Sequence, residues 1–207
     1  VVTQKAVSKS EGRYVLLEDI EPSALAIELG TNWEKDPRHV EVVLRESKRI
    51  VRMDRSVIIC ETRHGFVCAN AGVDASNVPD GRLVLLPLDP DASASRIRAG
   101  IHAATGADCA IIISDTFGRP WRTGYTEVAI GVAGMQPILD YVGRVDTAGR
   151  ELRATWICIA DELASAAELV TGKVNQVPVA LIRGYAVPRG EGSAREMVRQ
   201  AETDMFR

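Results

Sequence analysis

Two segments of this 207-residue chain combine acids, hydroxyls and cations in patterns that could support chemistry. The first, residues 61–79, is rich in small and polar residues and carries the carboxylate of Asp74 near the amides of Asn70 and Asn77. Its glycines allow the backbone to approach a ligand closely. The alternative is a turn-rich surface loop in which Asp74, Ser76 and Asn77 bond only nearby backbone groups.

The second segment, residues 114–124, is predicted to be a loop that follows a buried strand. Asp115 and Thr116 would be held rigidly at the end of that strand, and such oxygen ligands suit magnesium or manganese. Arg119 and Arg122 could hold a phosphate or carboxylate in a forked contact. The alternative is that Asp115 caps a helix while both arginines are solvated.

Two lysines add candidate phosphate-binding cations. Lys9 lies near the start of the chain and Lys173 follows a predicted helix, although each could equally be an ordinary surface lysine. The phosphate-binding loop, the dinucleotide fingerprint and the nucleophile elbow do not occur in the sequence. Acids, a hydroxyl and cations without a histidine base or cysteine nucleophile indicate metal-assisted phosphoryl chemistry, which needs positioning and charge neutralisation.

Composition narrows the function classes. A net charge of −3 argues against a nucleic-acid partner, which usually requires a basic surface. The sequence shows neither an apolar run near the ~20 residues that span a bilayer nor a secretory signal. The cysteines are widely spaced and lack zinc-binding patterns, so we expect a cytoplasmic protein with reduced thiols. These cysteines are Cys60, Cys68, Cys109 and Cys158.

Helix start and stop signals position three helices. Asp36-Pro37 predicts a helix to about Ser47, and Asp89-Pro90 predicts one that stops near Gly106. Asp161-Glu162 predicts a third helix that Gly172 closes, and its acids suit the positive end of the helix dipole. Its predicted apolar stripe is Leu163, Ala166, Ala167 and Val170.

Short apolar runs rich in β-branched residues predict strands, several of them adjacent in sequence and able to pair as antiparallel hairpins. The predicted strands are residues 57–60, 83–86, 110–113, 155–159 and 179–182. This mixture favours an α+β fold with largely antiparallel sheets and packed helices over a doubly wound sheet.

The sequence predicts one domain over residues 1–187 and a C-terminal segment over residues 188–207. Residues 189–193 read as a flexible hinge. Residues 194–206 could form a terminal helix or lead into a further domain. The opening Val1-Val2-Thr3 reads like the middle of a strand, so we expect the natural protein to begin upstream.

Long motifs within these segments resemble the coenzyme F(420)-0:L-glutamate ligase, or gamma-glutamyl ligase, family. The resemblance extends over nearly the whole chain to about Gly184. The matching stretches are VSKSEGR (7–13), ETRHGFVCANAGVDASNVP (61–79), ISDTFGRPWR (113–122), AIGVAG (129–134), DYVGRVDTAGR (140–150) and ADELASAAELVTGK (160–173).

The resemblance implies an enzyme that couples GTP hydrolysis to amide formation. The terminal carboxylate of the deazaflavin F(420)-0 would be activated as an acyl phosphate and attacked by the amine of L-glutamate, with further gamma-glutamyl additions in a later round. Two Mg²⁺ or Mn²⁺ ions would assist. The resemblance also implies a family-specific α+β fold, an intertwined homodimer and a start some tens of residues upstream. The tail resembles the junction in bifunctional versions.

Carried over by position, the resemblance assigns Asp74 and Asp115 to one metal and Thr116 to the second. Lys9 and Asn77 would contact the nucleotide. It assigns Arg119 and Arg122 less firmly, and their role in binding substrate carboxylate or phosphate is a hypothesis from residue type.

Two other function classes remain open from the residues alone. A metal-dependent phosphohydrolase could use the same two acids without needing glutamate. A non-catalytic module that binds nucleotide or deazaflavin would show tight binding without turnover.

Overall fold

A computed structural model of the chain describes residues 1–205. It contains helices and several small, mostly antiparallel sheets, which confirms the predicted α+β class. The chain forms two compact units. The first unit comprises Val1–Thr3, Asp89–Thr116 and Thr126–Arg199, and the second comprises residues 4–88, 117–125 and 200–205. The predicted boundary between residues 187 and 188 stays a prediction.

The helices and strands alternate irregularly along the chain. The helices are α1 (Gln4–Ser10), α2 (Ala24–Trp33), α3 (Pro37–Glu46), α4 (Pro90–Thr105) and α5 (Ile159–Thr171). The strands are β1 (Val2–Thr3), β2 (Tyr14–Leu16), β3 (Ser47–Asp54), β4 (Val57–Thr62), β5 (Val67–Ala69), β6 (Arg82–Val84), β7 (Ile111–Arg119), β8 (Arg122–Ala133), β9 (Ile138–Asp140) and β10 (Trp156–Cys158). None of the helices within residues 1–205 is long and apolar enough to cross a membrane.

The second unit is built on two antiparallel sheets, β3-β4-β5 and β2-β6. Helix α3 starts as predicted, because the Asp36 side chain accepts a hydrogen bond from the Arg38 amide at 2.9 Å and Pro37 occupies the first turn. The apolar face of this helix packs with α2 and the sheets around Val40, Val43 and other buried residues.

The first unit contains β1 and the parts of β7 and β8 outside residues 117–125. In it β1 pairs in parallel with β7, and β9 and β10 form an antiparallel pair. Helix α4 begins at the predicted cap, where Asp89 accepts from the Ala92 amide at 2.9 Å, and it ends at Gly106 in the left-handed conformation. Helix α5 ends before Gly172, as predicted. Its buried side chains join β7 and β8 in the core of this unit.

The segment predicted as a loop at residues 114–124 is instead a β-hairpin. Strand β7 continues through Arg119, and β8 begins at Arg122. Pro120 fixes one backbone angle of the intervening turn, and Trp121 adopts a positive φ of 57°. Proline followed by a positive φ is the pattern of a tight type II turn. Polar side chains therefore extend a paired strand here, because backbone pairing outweighs local composition.

The predicted strand at residues 179–182 is wrong beyond a single bridge, between Val179 and Val2. The Thr3 amide donates to the Pro178 carbonyl at 2.9 Å, and the Ala180 amide donates to the Val1 carbonyl at 2.9 Å. Leu181 and the following residues are outside this short ladder and lack strand geometry. Apolar composition supplied β propensity, but a strand requires a paired backbone.

The predicted apolar stripe of α5 is displaced. Ala167 is buried as expected, but Ala166 and Val170 are exposed. The buried face instead includes Ala160, Ala164 and Thr171, spaced at helical intervals. Small side chains allow α5 to pack closely against its neighbours. Close packing therefore determines the buried face of this helix, and some of its larger apolar side chains remain exposed.

The predicted hinge at residues 189–193 is packed. The Gly192 amide donates to the Met135 carbonyl, and a Cβ on Gly192 would lie 2.4 Å from Cδ of Pro137. The Ser193 hydroxyl donates to Asp91 at 2.6 Å. Short 3-10 turns at Ala194–Met197 and Ala201–Thr203 replace the suggested terminal helix, whose last predicted residue lies outside the described part of the chain.

Candidate active site

Helix α1 presents two lysines to the loop that carries Asp74. Lys5 and Lys9 are four residues apart, so they share one helix face. The Lys5 ammonium lies 2.5 Å from Oδ2 of Asp74 and donates to the Ser76 hydroxyl at 2.7 Å. The Lys9 ammonium donates to the backbone carbonyl of Asn77 at 2.5 Å. These five residues form the Lys5 cluster, which lies in the second unit.

Asp74 is also held by its own neighbourhood. Its backbone exchanges two hydrogen bonds with Val84, and its carboxylate accepts from the Ser76 amide at 2.6 Å and the Ser76 hydroxyl at 3.0 Å. The alternative that Asp74 bonds only nearby backbone groups correctly predicts the bond from the Ser76 amide. It does not account for the ion pair with Lys5. Burial favours a higher pKa for Asp74, but hydrogen bonds from Lys5 and Ser76 outweigh it and lower that pKa.

A second cluster forms in the first unit around Lys173. Its ammonium bonds the Thr116 hydroxyl, lies 2.7 Å from Oε1 of Glu127 and lies 3.0 Å from Oε1 of Glu168. The Thr116 hydroxyl donates to the same Glu127 oxygen at 2.5 Å. Thr116, Glu127, Glu168 and Lys173 form the Lys173 cluster.

Helix α5 positions Lys173 in this cluster. The Ser165 hydroxyl donates to the Glu127 carbonyl at 2.8 Å, and the Asp161 carboxylate accepts from the Ala129 amide at 2.8 Å. Asp161 thus has a structural partner, as the helix-start interpretation favoured. Gly172 ends the helix at φ 57°, ψ −176°, a conformation that suits glycine and turns the chain toward Lys173.

The charges of the Lys173 cluster reinforce one another. Burial favours a higher pKa for Glu127, yet hydrogen bonds from Lys173, Thr116 and Ser114 together lower it. Desolvation opposes the charge on Lys173, but Glu127 and Glu168 outweigh that effect and raise its pKa. Both groups are therefore ionised over a broad pH range around neutrality.

Asp115 lies inside strand β7, so the alternative that it caps a helix is wrong. Successive side chains of a strand point to opposite faces. Thr116 and Ser114 share the face that meets Glu127, since both hydrogen-bond its carboxylate. Asp115 therefore points to the other face, so the side chains of Asp115 and Thr116 lie in different surroundings.

Arg119 and Arg122 flank the turn of the β7–β8 hairpin, in a part of the chain assigned to the second unit. Both are exposed, as are Trp121 and Tyr125. The arginines could bind an anionic ligand through forked hydrogen bonds, and the aromatic rings could stack on a planar one.

Asp74 in the second unit and Thr116 in the first each offer an oxygen of the kind that a divalent metal binds beside other ligands. Within residues 1–205 no group of three or more histidine, cysteine or acidic residues could form a protein cage. Mg²⁺ typically binds one or two carboxylates plus waters and substrate phosphates. Asp74 and Thr116 each already face a lysine ammonium, so their oxygens lie where positive charge is stabilised.

Comparison with known proteins decides the family. The family model described as F(420)-0:gamma-glutamyl ligase matches residues 1–184. The chain belongs to this family. A protein from Methanothermobacter thermautotrophicus named coenzyme F(420):L-glutamate ligase is 48% identical over 210 residues, covering 100% of this chain and 83% of that protein.

Two further relatives carry the same name. The protein from Methanocaldococcus jannaschii is 47% identical over 208 residues, and the one from Archaeoglobus fulgidus is 42% identical over 208 residues. Each alignment covers 100% of this chain and 83% of the relative. The resemblance drawn from the sequence motifs to the gamma-glutamyl ligase family is confirmed.

Sequence reasoning missed three side chains of this family member that the clusters contain, Lys5, Glu127 and Glu168. Lys5 could have been found from its spacing to Lys9 on one helix face. Glu127 carries no local signal, because its role depends on contacts with residues 116 and 173. The assigned roles of Lys9, Asn77, Asp74, Asp115, Thr116, Arg119 and Lys173 stay predictions.

Proposed function

We propose that this chain is a GTP-dependent ligase that joins L-glutamate to the terminal carboxylate of F(420)-0 through an amide bond. Membership of the gamma-glutamyl ligase family and the names of the relatives support the ligase reaction and its substrates. The observation that carries the nucleotide-dependent form is that a lysine ammonium meets a candidate residue in each segment, Lys5 at Asp74 and Lys173 at Thr116. Lysine is a common partner of phosphate.

The proposed reaction has two balanced steps. A carboxylate oxygen of F(420)-0 attacks the γ-phosphorus of GTP, and GDP leaves, giving an acyl phosphate. The amine of L-glutamate then attacks the acyl carbon, phosphate leaves and the amine loses a proton. Repetition on a carboxyl group of the product would add further glutamates. Positioning and charge neutralisation supply most of the catalysis in such phosphoryl transfers.

The site residues take roles that their chemistry supports. Lys9, Asn77 and Lys173 are proposed to contact the nucleotide, with each lysine ammonium directed at phosphate oxygens. Asp74 and Asp115 are proposed to supply metal-binding carboxylates. Bound Mg²⁺ or Mn²⁺, two ions in the proposed enzyme, would neutralise phosphate charge.

Thr116 and the two arginines take the remaining proposed roles. The Thr116 hydroxyl donates a hydrogen bond to Glu127 and accepts one from Lys173, and its remaining lone pair could bind a second ion. Arg119 and Arg122 are proposed to bind a carboxylate or phosphate of the substrate by forked hydrogen bonds. Arg119 would thereby hold the reacting groups in register.

A homodimer is proposed from the surface of the first unit. Leu169, Val174 and Leu181 are 87%, 87% and 71% exposed, and further apolar side chains within residues 169–182 of the sequence are also exposed. Clustered exposed apolar residues mark interaction surfaces. Light scattering should give twice the chain mass for the wild type, and Leu169→Glu with Val174→Glu should give the monomer mass. A monomeric wild type would refute the dimer.

The ligase proposal is tested by reconstitution. The protein is incubated with F(420)-0, L-glutamate, GTP and Mg²⁺ or Mn²⁺, and products are identified by mass spectrometry. Glutamylated product that requires all four components supports the ligase, and its mass counts the glutamates added. Phosphate release without glutamate would favour a phosphohydrolase. Saturable binding without turnover would favour a binding module.

The assignment of Asp115 is tested by Asp115→Asn, with Asp80→Asn as a matched control on an exposed acid. The first variant should lose activity and change its dependence on metal concentration, while the control should resemble the wild type. Full activity with normal metal dependence in Asp115→Asn would refute the assignment.

A further inference from the structure

Glu127 is a buried acid without a role in the reaction as described so far. Its side chain is 8% exposed, although carboxylates are rarely buried unless they are paired. It lies on β8, and it accepts hydrogen bonds from two of the residues to which the proposed function gives roles, Thr116 and Lys173. Ser114 on the same face also hydrogen-bonds it.

We infer that Glu127 is a positioning residue, whose buried carboxylate fixes the Lys173 ammonium and the Thr116 hydroxyl in the orientations that receive nucleotide phosphate and metal. This inference rests on the proposed function and adds a residue to it.

The two carboxylates on Lys173 differ in a way that assigns them different tasks. Glu127 lies 2.7 Å from the ammonium and is 8% exposed, whereas Glu168 lies 3.0 Å away and is 24% exposed. Lysine has three N–H donors, and Thr116, Glu127 and Glu168 receive them. A phosphate oxygen must therefore replace one of these acceptors. Glu168, which is more exposed and more distant, is the one that it displaces.

Glu127 also sets the direction of the Thr116 hydroxyl. An ionised carboxylate can only accept hydrogen bonds, so the hydroxyl proton must point toward it. The Lys173 ammonium donates to the Thr116 oxygen, which leaves that oxygen a lone pair directed away from both partners. The hydroxyl is thus oriented before any metal binds.

A purely structural role is the alternative to positioning. Glu127 could simply attach the end of α5 to β8. However, Ser165 and Asp161 already make that connection through their bonds to the backbone of β8. In addition, the Lys173 side chain remains 57% exposed, so its ammonium is accessible to a ligand. A structural pair would affect unfolding without changing nucleotide affinity.

The test compares Glu127→Gln with Glu168→Gln and with Glu162→Gln, an exposed acid on the same helix. Binding of GDP with Mg²⁺ to the full chain is measured by calorimetry, and thermal unfolding is measured without ligand. We expect Glu127→Gln to weaken binding of GDP with Mg²⁺ by about 10- to 100-fold, the range typical when a residue that orients a metal ligand is removed. The effect of Glu168→Gln should be smaller, and Glu162→Gln should match the wild type.

Kinetics give a second readout. In Glu127→Gln the KM for GTP should rise far more than the KM for L-glutamate, which loss of fold would not produce. If Glu127→Gln does not fold, Glu127→Asp answers the same question, because it retains the charge but withdraws the carboxylate by one methylene. An intermediate loss of GDP affinity in this variant supports positioning.

The outcomes separate the inference from the proposed function. Normal GDP affinity and a normal KM for GTP in a folded Glu127 variant, with an active wild type, would overturn the inference and leave the ligase proposal intact. A greater loss in Glu168→Gln than in Glu127→Gln would also overturn it. A wild type that binds no nucleotide and forms no glutamylated product would overturn both.

Discussion

The Lys5 and Lys173 clusters both join an ammonium to a carboxylate, but they differ in how far the carboxylate is removed from water. Asp74 is 38% exposed and is held by Lys5 and Ser76, whereas Glu127 is 8% exposed and receives hydrogen bonds from three side chains. An exposed pair is screened and can exchange partners at little cost. A buried carboxylate must keep its partners, because losing one leaves an uncompensated charge.

This difference assigns the two clusters different parts in the proposed reaction. The Asp74 carboxylate can release Lys5 in exchange for another cation. The Glu127 carboxylate instead holds Lys173 in place while ligands bind and are released. The following predictions test that contrast, beginning with the largest expected effect.

Replacing Asp74 by Asn should reduce glutamylation by about 100-fold or more, since a bound metal supplies several kcal/mol of charge stabilisation and each 1.4 kcal/mol is tenfold in rate. Initial rates measured with saturating GTP, F(420)-0 and glutamate check this. Asp80→Asn is the control. Wild-type rates in Asp74→Asn would remove Asp74 from the site.

Lys173→Ala should lower the free energy of unfolding by about 2 kcal/mol. Breaking a fully buried pair costs about 3–5 kcal/mol, and the partial exposure of Lys173 reduces that figure. Urea denaturation at pH 7 measures the change. If Lys173→Ala lowered the free energy of unfolding by less than Lys5→Ala does, the Lys173 cluster would not be the more strongly coupled of the two.

Glu41 provides a reference carboxylate in the same unit as Asp74. Hydrogen bonds from Ser23 and Arg45 lower its pKa to about 2. Glu41→Gln should cost about 1.5 kcal/mol at neutral pH, the lower end for hydrogen bonds to charged groups.

The pH dependence of that cost has a definite sign. Because the folded-state pKa of Glu41 lies below its usual value of 4.5, its contribution is complete above about pH 4.5 and declines as the pH falls toward 2. The difference in unfolding free energy between wild type and Glu41→Gln should shrink over that window. A difference independent of pH would show that packing and not charge is responsible.

Lys5→Ala should have the smallest effect on folding, about 0.5 kcal/mol, since its pair with Asp74 is partly exposed. The same denaturation experiment in ~1 M salt should reduce that difference further, because salt screens exposed charges. A salt-independent cost as large as that of Lys173→Ala would show that the Lys5 cluster is buried in solution.

Local sequence signals correctly predicted the ends of several helices. The caps at Asp36 and Asp89 and the stop at Gly172 are where the sequence placed them, because each signal acts on backbone groups within a few residues. The segment at residues 114–124 was misread as a loop, since its polar composition resembles a loop while its backbone is paired.

The sequence by itself determined the fold class, the helix caps and the family, because these depend on local chemistry and on long motifs. Only the tertiary structure decided that Glu127 meets Lys173 and Thr116, and that α5 buries its small residues. The physical reason is that these contacts join side chains from different elements. Their geometry depends on strand pairing and helix packing, which no single stretch of sequence encodes.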